Sequence, residues 1–167
     1  MREILFKGKR IADGKWVDGY YFKMSETTYC FEEDYERNPV PEHHYILQER
    51  MTDWGLPNRI AMYEVDPKTL CEYTGLTDKN GNKIWENDII KRYYKHSAYN
   101  YALVKYGRYL DYRKLEHVGF YVDWDLSKEP DLIKRLCYWA NNIDGIETEN
   151  IGSVFDNPGL LEEGKRE

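Results

Sequence analysis

Two turn-forming dipeptides, each set among short apolar runs, constrain this chain more than any other feature of its sequence. Within residues 2–22, Asp13-Gly14 lies between two runs rich in large apolar residues. Within residues 73–90, Asn80-Gly81 is flanked by Leu76 on one side and by Ile84 and Trp85 on the other. Asp-Gly and Asn-Gly readily adopt the positive φ angles that tight hairpin turns require. Both dipeptides therefore predict β-hairpins, and Asn80-Gly81 predicts a type I′ turn at the tip of the second hairpin.

Further short strands are predicted downstream of the second hairpin. One runs from Asp88 to about Tyr94, and another covers residues 101–106. Between 118 and 124, large apolar residues alternate with small or polar ones, which indicates a half-buried strand. Residues 151–155 predict the last strand. Several short strands joined by turns favour a small barrel.

Three segments do not fit a strand pattern. Residues 26–44 cluster acidic side chains and include two prolines, so we expect a solvated excursion without regular structure. Asp66 and Pro67 predict the start of one or two helical turns that end at Gly75. The segment 127–142 places several apolar residues on one helical face, and we prefer a short helix there. A buried strand is the open alternative, because a short apolar run fits both.

The composition indicates a folded, cytoplasmic protein. The chain has 167 residues, among them 16 Tyr and 5 Trp, whose large rings bury area while their polar atoms stay wet. Its three cysteines, at 30, 71 and 137, are far apart and lack a CxxC spacing, so we expect reduced thiols and no disulfide framework. The N-terminal residues lack the apolar run of a signal peptide, and no later run is long enough for a membrane span.

Three stretches of the sequence resemble the YopX family of phage and prophage proteins. They are MREILFKGKRIADGKWVDGYYF at 1–22, YTGLTDKNGNKIWENDII at 73–90 and IGSVFDNPGLLEE at 151–163. Asn87 stands where the family usually has Gly. Because Asn also tolerates the left-handed conformation, we expect the same turn there. The resemblance implies a phage or prophage gene and a C-terminal SH3-like β-barrel. The family has no established reaction, so no catalytic residue and no cofactor carries over.

The pattern and the resemblance together predict a mainly β (α+β) chain. Residues 1–60 are expected to form an N-terminal β-hairpin region with the acidic, Pro-containing excursion. Residues 61–167 are expected to form a small SH3-like barrel or roll with one or two short helices. SH3-like barrels host many unrelated binding roles, so the fold alone assigns no function.

Residues 91–114 carry the strongest charge asymmetry of the chain. Seven Lys or Arg stand against one acid, so this segment has a net charge of +6, and the remainder has −12 because the whole chain has −6. Seven Tyr are interleaved with these cations. Cations neutralise phosphates and aromatic rings stack on bases, so the segment is a candidate surface for single-stranded DNA or RNA. An ordinary hairpin with core-facing Tyr and solvated cations is the alternative. The candidate residues are Lys91, Arg92, Lys95, Lys105, Arg108, Arg113 and Lys114.

Two features could indicate a metal site or a metal-dependent hydrolase, and we favour neither. His43 and His44 follow Cys30, but adjacent His side chains rarely converge on one ion and no second ligand pair is present. The carboxylates within 31–36 and 123–125 could form an acid/base pair, yet such runs are ordinarily solvated. We therefore expect no metal, no cofactor and no catalytic residue.

A protein-interaction module is the function that the composition favours most. Aromatic residues make up 16% of the chain, and Tyr and Trp are side chains that anchor interfaces. A thin core also favours self-association, because joining protomers buries surface that a monomer leaves exposed. We therefore expect a protein partner or a homo-oligomer. Nucleic-acid binding through residues 91–114 ranks second, and a hydrolase ranks last.

Overall fold

The computed structural model describes residues 3–94, 97–111, 113–123, 136–140 and 146–161. Contacts divide the chain into two compact units, Glu3–Glu72 and Tyr73–Glu167. All the described strands pair antiparallel with their neighbours, so the mainly β class is confirmed. These strands form open sheets and no closed barrel within the described residues, so the SH3-like barrel stays a prediction.

The described part of the first unit holds four complete strands, a short helix and a 3₁₀ turn. In chain order they are β1 (Phe6–Lys9), β2 (Trp16–Ser25), α1 (Glu32–Arg37), β3 (Glu42–Arg50), β4 (Arg59–Glu64) and the 3₁₀ turn Pro67–Thr69. Strand β5 (Cys71–Thr77) begins in this unit. The strands lie side by side in the order β4-β3-β2-β1-β5, which leaves β4 at an edge.

The first predicted hairpin is confirmed. β1 and β2 pair antiparallel, and the turn between them places Gly14 at φ 68°. The Asp13 carboxylate supports this turn by accepting hydrogen bonds from the Arg10 side chain and the Lys15 N–H. Gly adopts this left-handed conformation without the cost of a Cβ atom, so it closes the turn.

The prediction of an irregular excursion over 26–44 is wrong in part. Helix α1 forms inside it, and β3 begins at Glu42, directly after Pro41. α1 has no buried residue, so this part is solvated as expected but helical. The prolines lie before β3 and not inside it, so their missing N–H groups interrupt no ladder.

The predicted helix start at Asp66 is confirmed, and the predicted end at Gly75 is wrong. The Asp66 side chain accepts a hydrogen bond from the N–H two residues further on, as an N-cap does. The turn stops after three residues because Cys71 pairs with β1 and is fully buried. Sheet pairing therefore ends the helical conformation well before Gly75.

One face of the first sheet covers the core of this unit. The core consists of Val17, Ile46 and Val65, with Phe6, Tyr21, Tyr63 and Leu70 packed against it. Gly19 lies so close to β3 that a Cβ atom there would collide with the carbonyl oxygen of Leu47. Glycine therefore lets β2 approach β3 closely at this point.

The described part of the second unit continues from β5 with five strands and one helix. They are β6 (Lys83–Trp85), β7 (Asp88–Tyr94), β8 (Ser97–Leu110), β9 (Glu116–Asp123), α2 (Leu136–Ala140) and β10 (Ile146–Ser153). β5 pairs with β6, and the other four strands form a sheet in the order β10-β7-β8-β9. The core contains Ile84, Ile90, Ala102, Val104, Val122 and Leu136.

The strand predictions in this unit are confirmed in type, with different bounds. β7 has the predicted bounds, β8 is longer than the predicted 101–106, and β9 overlaps the predicted strand. The last strand is 146–153 and not 151–155. Its polar residues Glu147, Thr148, Glu149 and Asn150 pair along β7, so no apolar alternation marks it in the sequence.

The described helices are short. Residues 136–140 form α2, which confirms the helical interpretation for this part of the segment 127–142, and its other residues lie outside the described ones. Leu136 is almost fully buried in the core. Among the described residues there is no helix with the length and apolar character needed to cross a membrane.

The second predicted hairpin is confirmed, but its type I′ turn is wrong. Such a turn needs positive φ at both central residues, and only Gly81 has it, at φ 81°. Asp78 organises the loop instead. Its carbonyl accepts from the Gly81 N–H at 3.0 Å, and its carboxylate accepts from the N–H groups of Asn80 at 2.9 Å and Asn82 at 2.8 Å. An Asp side chain that captures nearby N–H groups stabilises a turn without a second left-handed residue.

Asp88 links separate parts of the second unit. It accepts hydrogen bonds from the Trp85 N–H at 2.9 Å and from the Asn150 side-chain amide at 2.6 Å. Beside it, Asn87 has φ 63°, so the expected left-handed turn is confirmed. The polar residues within 73–90 therefore serve turns and strand junctions, which makes this stretch a folding element.

Candidate functional site

The seven cations predicted as a binding surface are spread over two strands and a turn. Lys91 and Arg92 lie on β7, Lys105 and Arg108 on β8, and Arg113 and Lys114 in the turn before β9, while Lys95 lies outside the described residues. The register and the alternation of side chains place Lys91 and Lys105 on one face of the sheet. Arg92 and Arg108 fall on the opposite face, so the cations do not form a single stripe.

Several of these cations have polar partners within the second unit. Lys105 Nζ lies 2.5 Å from Asp123 Oδ2, and this hydrogen bond raises the pKa of Lys105. Lys91 donates to a tyrosine hydroxyl of β8 over 2.6 Å. Arg108 lies 3.4 Å from Glu116. Cations held in this way offer less charge to a phosphate than their number in the sequence indicates.

Strand β10 brings carboxylates to the side of β7. Glu149 lies opposite Lys91 in the register. Glu147 and Glu149 also lie 3.7 Å and 3.2 Å from Lys79 Nζ. Acids that are distant in sequence therefore offset part of the positive charge of residues 91–114.

The most exposed cations lie at the turn end of β8 and β9. Arg108, Arg113 and Lys114 are exposed there. Tyr106, on the same side of β8 as Arg108, is also exposed. This end keeps a small basic and aromatic patch, although two carboxylates lie within it.

His43 and His44 lie on opposite faces of β3 and do not converge on one ion. His43 lies between two carboxylates, with Nδ1 2.6 Å from Glu64 and Nε2 2.9 Å from Glu26. These hydrogen bonds raise the pKa of His43. His44 contacts the Tyr21 hydroxyl at 2.7 Å instead. In the part of the chain that the structure describes, no group of three or more His, Cys, Asp or Glu could hold a metal ion.

The two acidic runs considered for a hydrolase lie in different surroundings. The acids of 31–36 lie on the solvated helix α1. Asp123 pairs with Lys105, and Asp125 lies outside the described residues. General acid/base catalysis uses two carboxylates in a water-poor pocket. The described acids of these runs offer no such pair.

A set of large apolar side chains is exposed on the first unit. Tyr20, Phe22 and Met24 of β2 are 55%, 46% and 43% exposed, and Ile60 and Met62 of β4 are 75% and 57% exposed. Strand β3 lies between these two strands, and its Leu47 is on the same side of the sheet. We call this set of six residues, Tyr20, Phe22, Met24, Leu47, Ile60 and Met62, the apolar face.

The strand register joins the centre of the apolar face into one row. Tyr20 lies opposite Leu47, and Leu47 lies opposite Met62. Phe22 lies opposite Tyr45 in the next row. Directly opposed residues of antiparallel strands have Cβ atoms about 4.5–5.5 Å apart. One apolar row therefore crosses three strands without a gap.

The opposite side of the same strands is buried. Ile46 lies in the core between Tyr45 and Leu47, and Tyr21 packs against it. This sheet therefore has two apolar sides, of which the described residues cover only one. Monomeric proteins rarely expose a large contiguous apolar patch, and such patches mark interaction sites.

Charged groups border the apolar face at two ends. Lys7 and Lys9 of β1 lie over the Trp16 ring, 4.9 Å and 5.3 Å from its centroid. At the other end, Glu64 pairs with His43. An apolar centre with a polar rim is the usual composition of a protein interface.

The loop 51–58, which joins β3 to β4, adds further exposed apolar side chains. Met51 is 87% exposed, Trp54 is fully exposed, and Leu56 is exposed as well. Tryptophan is enriched among the residues that dominate binding energy. These side chains are exposed in the loop and are not part of the apolar face.

The local sequence of β2 indicates this surface, whereas the overall composition does not show where it lies. Tyr20, Tyr21 and Phe22 are consecutive, and Met24 follows, so both sides of a strand here are apolar. Such a run is typical of a strand covered on both faces. Composition favours an interaction module but names none of these residues.

Known proteins resemble this chain over nearly its whole length. The crystal structure of protein EF1440 from Enterococcus faecalis is similar, with a TM-score of 0.50 and 17% sequence identity over 96% of this chain and 99% of that chain. This likeness concerns the fold alone. No curated protein matches the chain. The family model described as YopX protein matches residues 5–162, and the chain therefore belongs to the YopX family.

Proposed function

We propose that this chain is a non-catalytic binding module that attaches to another protein through its apolar face. The row Tyr20, Leu47 and Met62 carries the proposal, because it crosses three strands and its outer members are more than half exposed. Removing apolar surface from water gains about 25 cal/mol per Å². A protein partner supplies apolar surface of its own, whereas a nucleic acid presents mainly phosphates.

The side chains of the apolar face suit contact with a protein. Tyr20 and Phe22 supply large, rigid area at a low cost in conformational entropy. Met24 and Met62 are unbranched and adapt to irregular partner surfaces. The polar rim at Glu64 and Lys7 can exclude water around this centre and orient the partner.

Affinity capture from a bacterial lysate tests this function when a face variant is compared with a matched control. The face variant carries Phe22→Ser and Met62→Ser. The control carries Met51→Ser, which removes an apolar side chain that is more exposed than either of these and lies outside the apolar face. Wild type and control should retain the same proteins. The affinity of the face variant for these proteins should be lower by about tenfold or more, which equals ~1.4 kcal/mol of binding free energy.

Circular dichroism and thermal unfolding check that each variant is folded before capture. If all three forms retain the same proteins in equal amounts, the apolar face is not the binding surface. If the control loses them as well, binding extends over the loop 51–58.

A second candidate function is the binding of single-stranded DNA or RNA at the turn end of β8 and β9. The exposed Arg108, Arg113 and Lys114, together with the exposed Tyr106 on the same side of β8 as Arg108, support it. Cations and an exposed ring together match phosphates and bases. It ranks second because Asp111 and Glu116 lie within the same patch.

Fluorescence anisotropy with labelled single-stranded DNA, duplex DNA and RNA tests this second function at low and near-physiological salt. Reversing two charges, with Arg113→Glu and Lys114→Glu, should weaken binding. The slope of the logarithm of the binding constant against the logarithm of the salt concentration should also become less steep. On a single strand this change is about 0.7 for each phosphate contact that is lost. Lys15→Glu with Lys68→Glu, at exposed positions of the first unit, is the control. No binding at low salt excludes the function.

We also propose the finer features that family membership implies: a phage or prophage gene, an SH3-like barrel in the second unit and a role in the bacterial cytoplasm. The antiparallel sheet β10-β7-β8-β9 and the β5–β6 hairpin support the barrel. The three free cysteines support a reducing compartment. An experimental structure with an open sheet throughout the second unit would contradict the barrel.

A further inference from the structure

The outer edge of β4 has backbone groups that are placed to pair with another strand. In an antiparallel ladder, successive residues turn their N–H and C=O groups to opposite sides. The Val65 N–H donates to the His44 carbonyl of β3 over 2.8 Å. Tyr63 and Ala61 lie two and four residues before Val65, so their backbone N–H and C=O groups also face β3.

The even-numbered residues of β4 face outward. The Glu64 carbonyl accepts a hydrogen bond from the Ile11 N–H over 3.0 Å, so the turn after β1 covers the edge at this point. Ile60 and Met62 have the same orientation as Glu64. Among the described strands β4 is the last of its sheet, so both residues offer an N–H and a C=O to an added strand.

We propose that β4 pairs antiparallel with β4 of a second copy of this chain and forms a two-fold symmetric dimer. The proposal rests on the proposed function, because it names a partner for the strand that bounds the apolar face. The two-fold axis passes at Ala61. Ile60 then lies opposite Met62 of the partner subunit, and the symmetry repeats this pair on the other side of the axis.

The apolar face selects this register. Ile60 and Met62 both belong to the apolar face, so pairing them with each other keeps the two apolar faces on one side of the joined sheet. A shift by one residue would set the apolar face of one copy beside the core side of the other. Ala61 presents a small side chain at the axis, where opposed Cα atoms approach to about 4.5 Å.

Charge selects the antiparallel direction. β4 begins at Arg59, which lies opposite Arg50 of β3, and ends at Glu64, which pairs with His43. Antiparallel pairing brings the basic start of each strand towards the acidic end of the other. Parallel pairing would set Arg59 beside its own copy, and like charges directly opposed are destabilising.

The part of the β4 edge that is not covered by Ile11 is long enough for β4 of the second copy to pair with it. Pairing can use Ile60 and Met62, and Ile11 closes the edge at Glu64. The partner strand starts at its own Arg59, so it leaves the edge where Ile11 takes over. Ile11, which bonds to Glu64 at this edge, is exposed and apolar and enlarges the contact.

Sedimentation equilibrium of Met62→Pro and Met62→Ala tests the pairing. Both variants remove the side chain, but only proline removes the outward N–H, and an edge strand tolerates proline on its open side. Wild type should show a species of about twice the 20.1 kDa monomer mass. The proline variant should dissociate about tenfold more readily than the alanine variant. Equal dimer affinity of the two variants overturns the pairing.

Amide hydrogen exchange of the wild-type protein gives a readout that needs no variant. The amides of Ile60 and Met62 should be protected only at concentrations where the dimer forms. The amides of Ala61 and Tyr63 bond to β3 and should be protected at all concentrations. Fast exchange at Ile60 and Met62 under every condition overturns the pairing.

The variant Phe22→Ser separates this inference from the proposed function. Phe22 lies on the apolar face but on β2, two strands from the open edge. A dimer that Phe22→Ser preserves and Met62→Pro breaks supports the edge pairing. A dimer that Phe22→Ser breaks and Met62→Pro preserves shows that copies meet through the face, which overturns the edge pairing and leaves the proposed function standing. A monomer at every concentration overturns the pairing, and lysate capture alone then decides the function.

Discussion

Asn150 donates a hydrogen bond from its side-chain amide to the carboxylate of Asp88 over 2.6 Å, and the Trp85 N–H donates to the same oxygen. Asp88 is 1% exposed, so its removal leaves two donors without their acceptor. Asp88→Ala should therefore lower the free energy of unfolding by about 2–5 kcal/mol. Urea denaturation measures this change. The exposed Asp53→Ala should change it by less than about 0.5 kcal/mol. Similar effects of the two substitutions would contradict the role of Asp88.

Asn87 adopts φ 63° directly before β7. Asn87→Ala should cost about 1 kcal/mol, because alanine lacks both the freedom of glycine and the local hydrogen bonding of asparagine. Asn87→Gly should keep the free energy of unfolding within about 0.5 kcal/mol of wild type. Chemical denaturation of the two variants measures their free energies of unfolding. Equal stability would show that the left-handed conformation carries no cost.

Gly19 leaves no space for a side chain between β2 and β3. A Cβ atom there would collide with the Leu47 carbonyl and lie 3.1 Å from the Ile46 side chain. Gly19→Ala should destabilise the first unit by about 1–3 kcal/mol. Gly159→Ala is the control, because no atom lies within 4 Å of its Cβ position. Thermal unfolding should find the control close to wild type, and a matching loss in both variants would refute the steric argument.

His43 makes the stability of the first unit depend on pH. Its hydrogen bonds with Glu64 and Glu26 raise its pKa above the ordinary value of 6.5. The protonated form is favoured in the folded state, so the stabilising contribution is complete below pH 6.5 and is lost as pH rises through the folded pKa. The difference in unfolding midpoint between wild type and His43→Gln should therefore become smaller as the pH rises. A difference that stays constant from about pH 5 to pH 9 would contradict this.

Features that depend on local chemistry are predictable from the sequence. The turn at Gly14 and the cap at Asp66 follow from conformational preferences of single residues, whereas the left-handed Asn87 is expected from the resemblance to the YopX family. The preference of a dipeptide is less informative about turn type where a neighbouring side chain binds the backbone of the turn. At Asn80, the carboxylate of Asp78 captures the backbone N–H groups, and the turn takes a different type from the one its dipeptide favours.

Features that depend on distant pairing are not predictable in this way. The acids of β10 lie beside the cations of β7 only because the sheet brings them together, so a charge count over 91–114 overstates the free positive charge. The apolar face has the same origin. Tyr20 and Met62 are ordinary strand residues in the sequence, and the register through Leu47 makes them one surface.

Oxidative footprinting of methionines tests most directly whether the apolar face is the binding surface. Met24 and Met62 lie on the apolar face, and Met51 is 87% exposed outside it. In dilute purified protein all three should oxidise. In a bacterial lysate that contains the partner, Met24 and Met62 should be protected while Met51 stays reactive. Unchanged reactivity of Met24 and Met62 relative to Met51 in that lysate would contradict the proposed function.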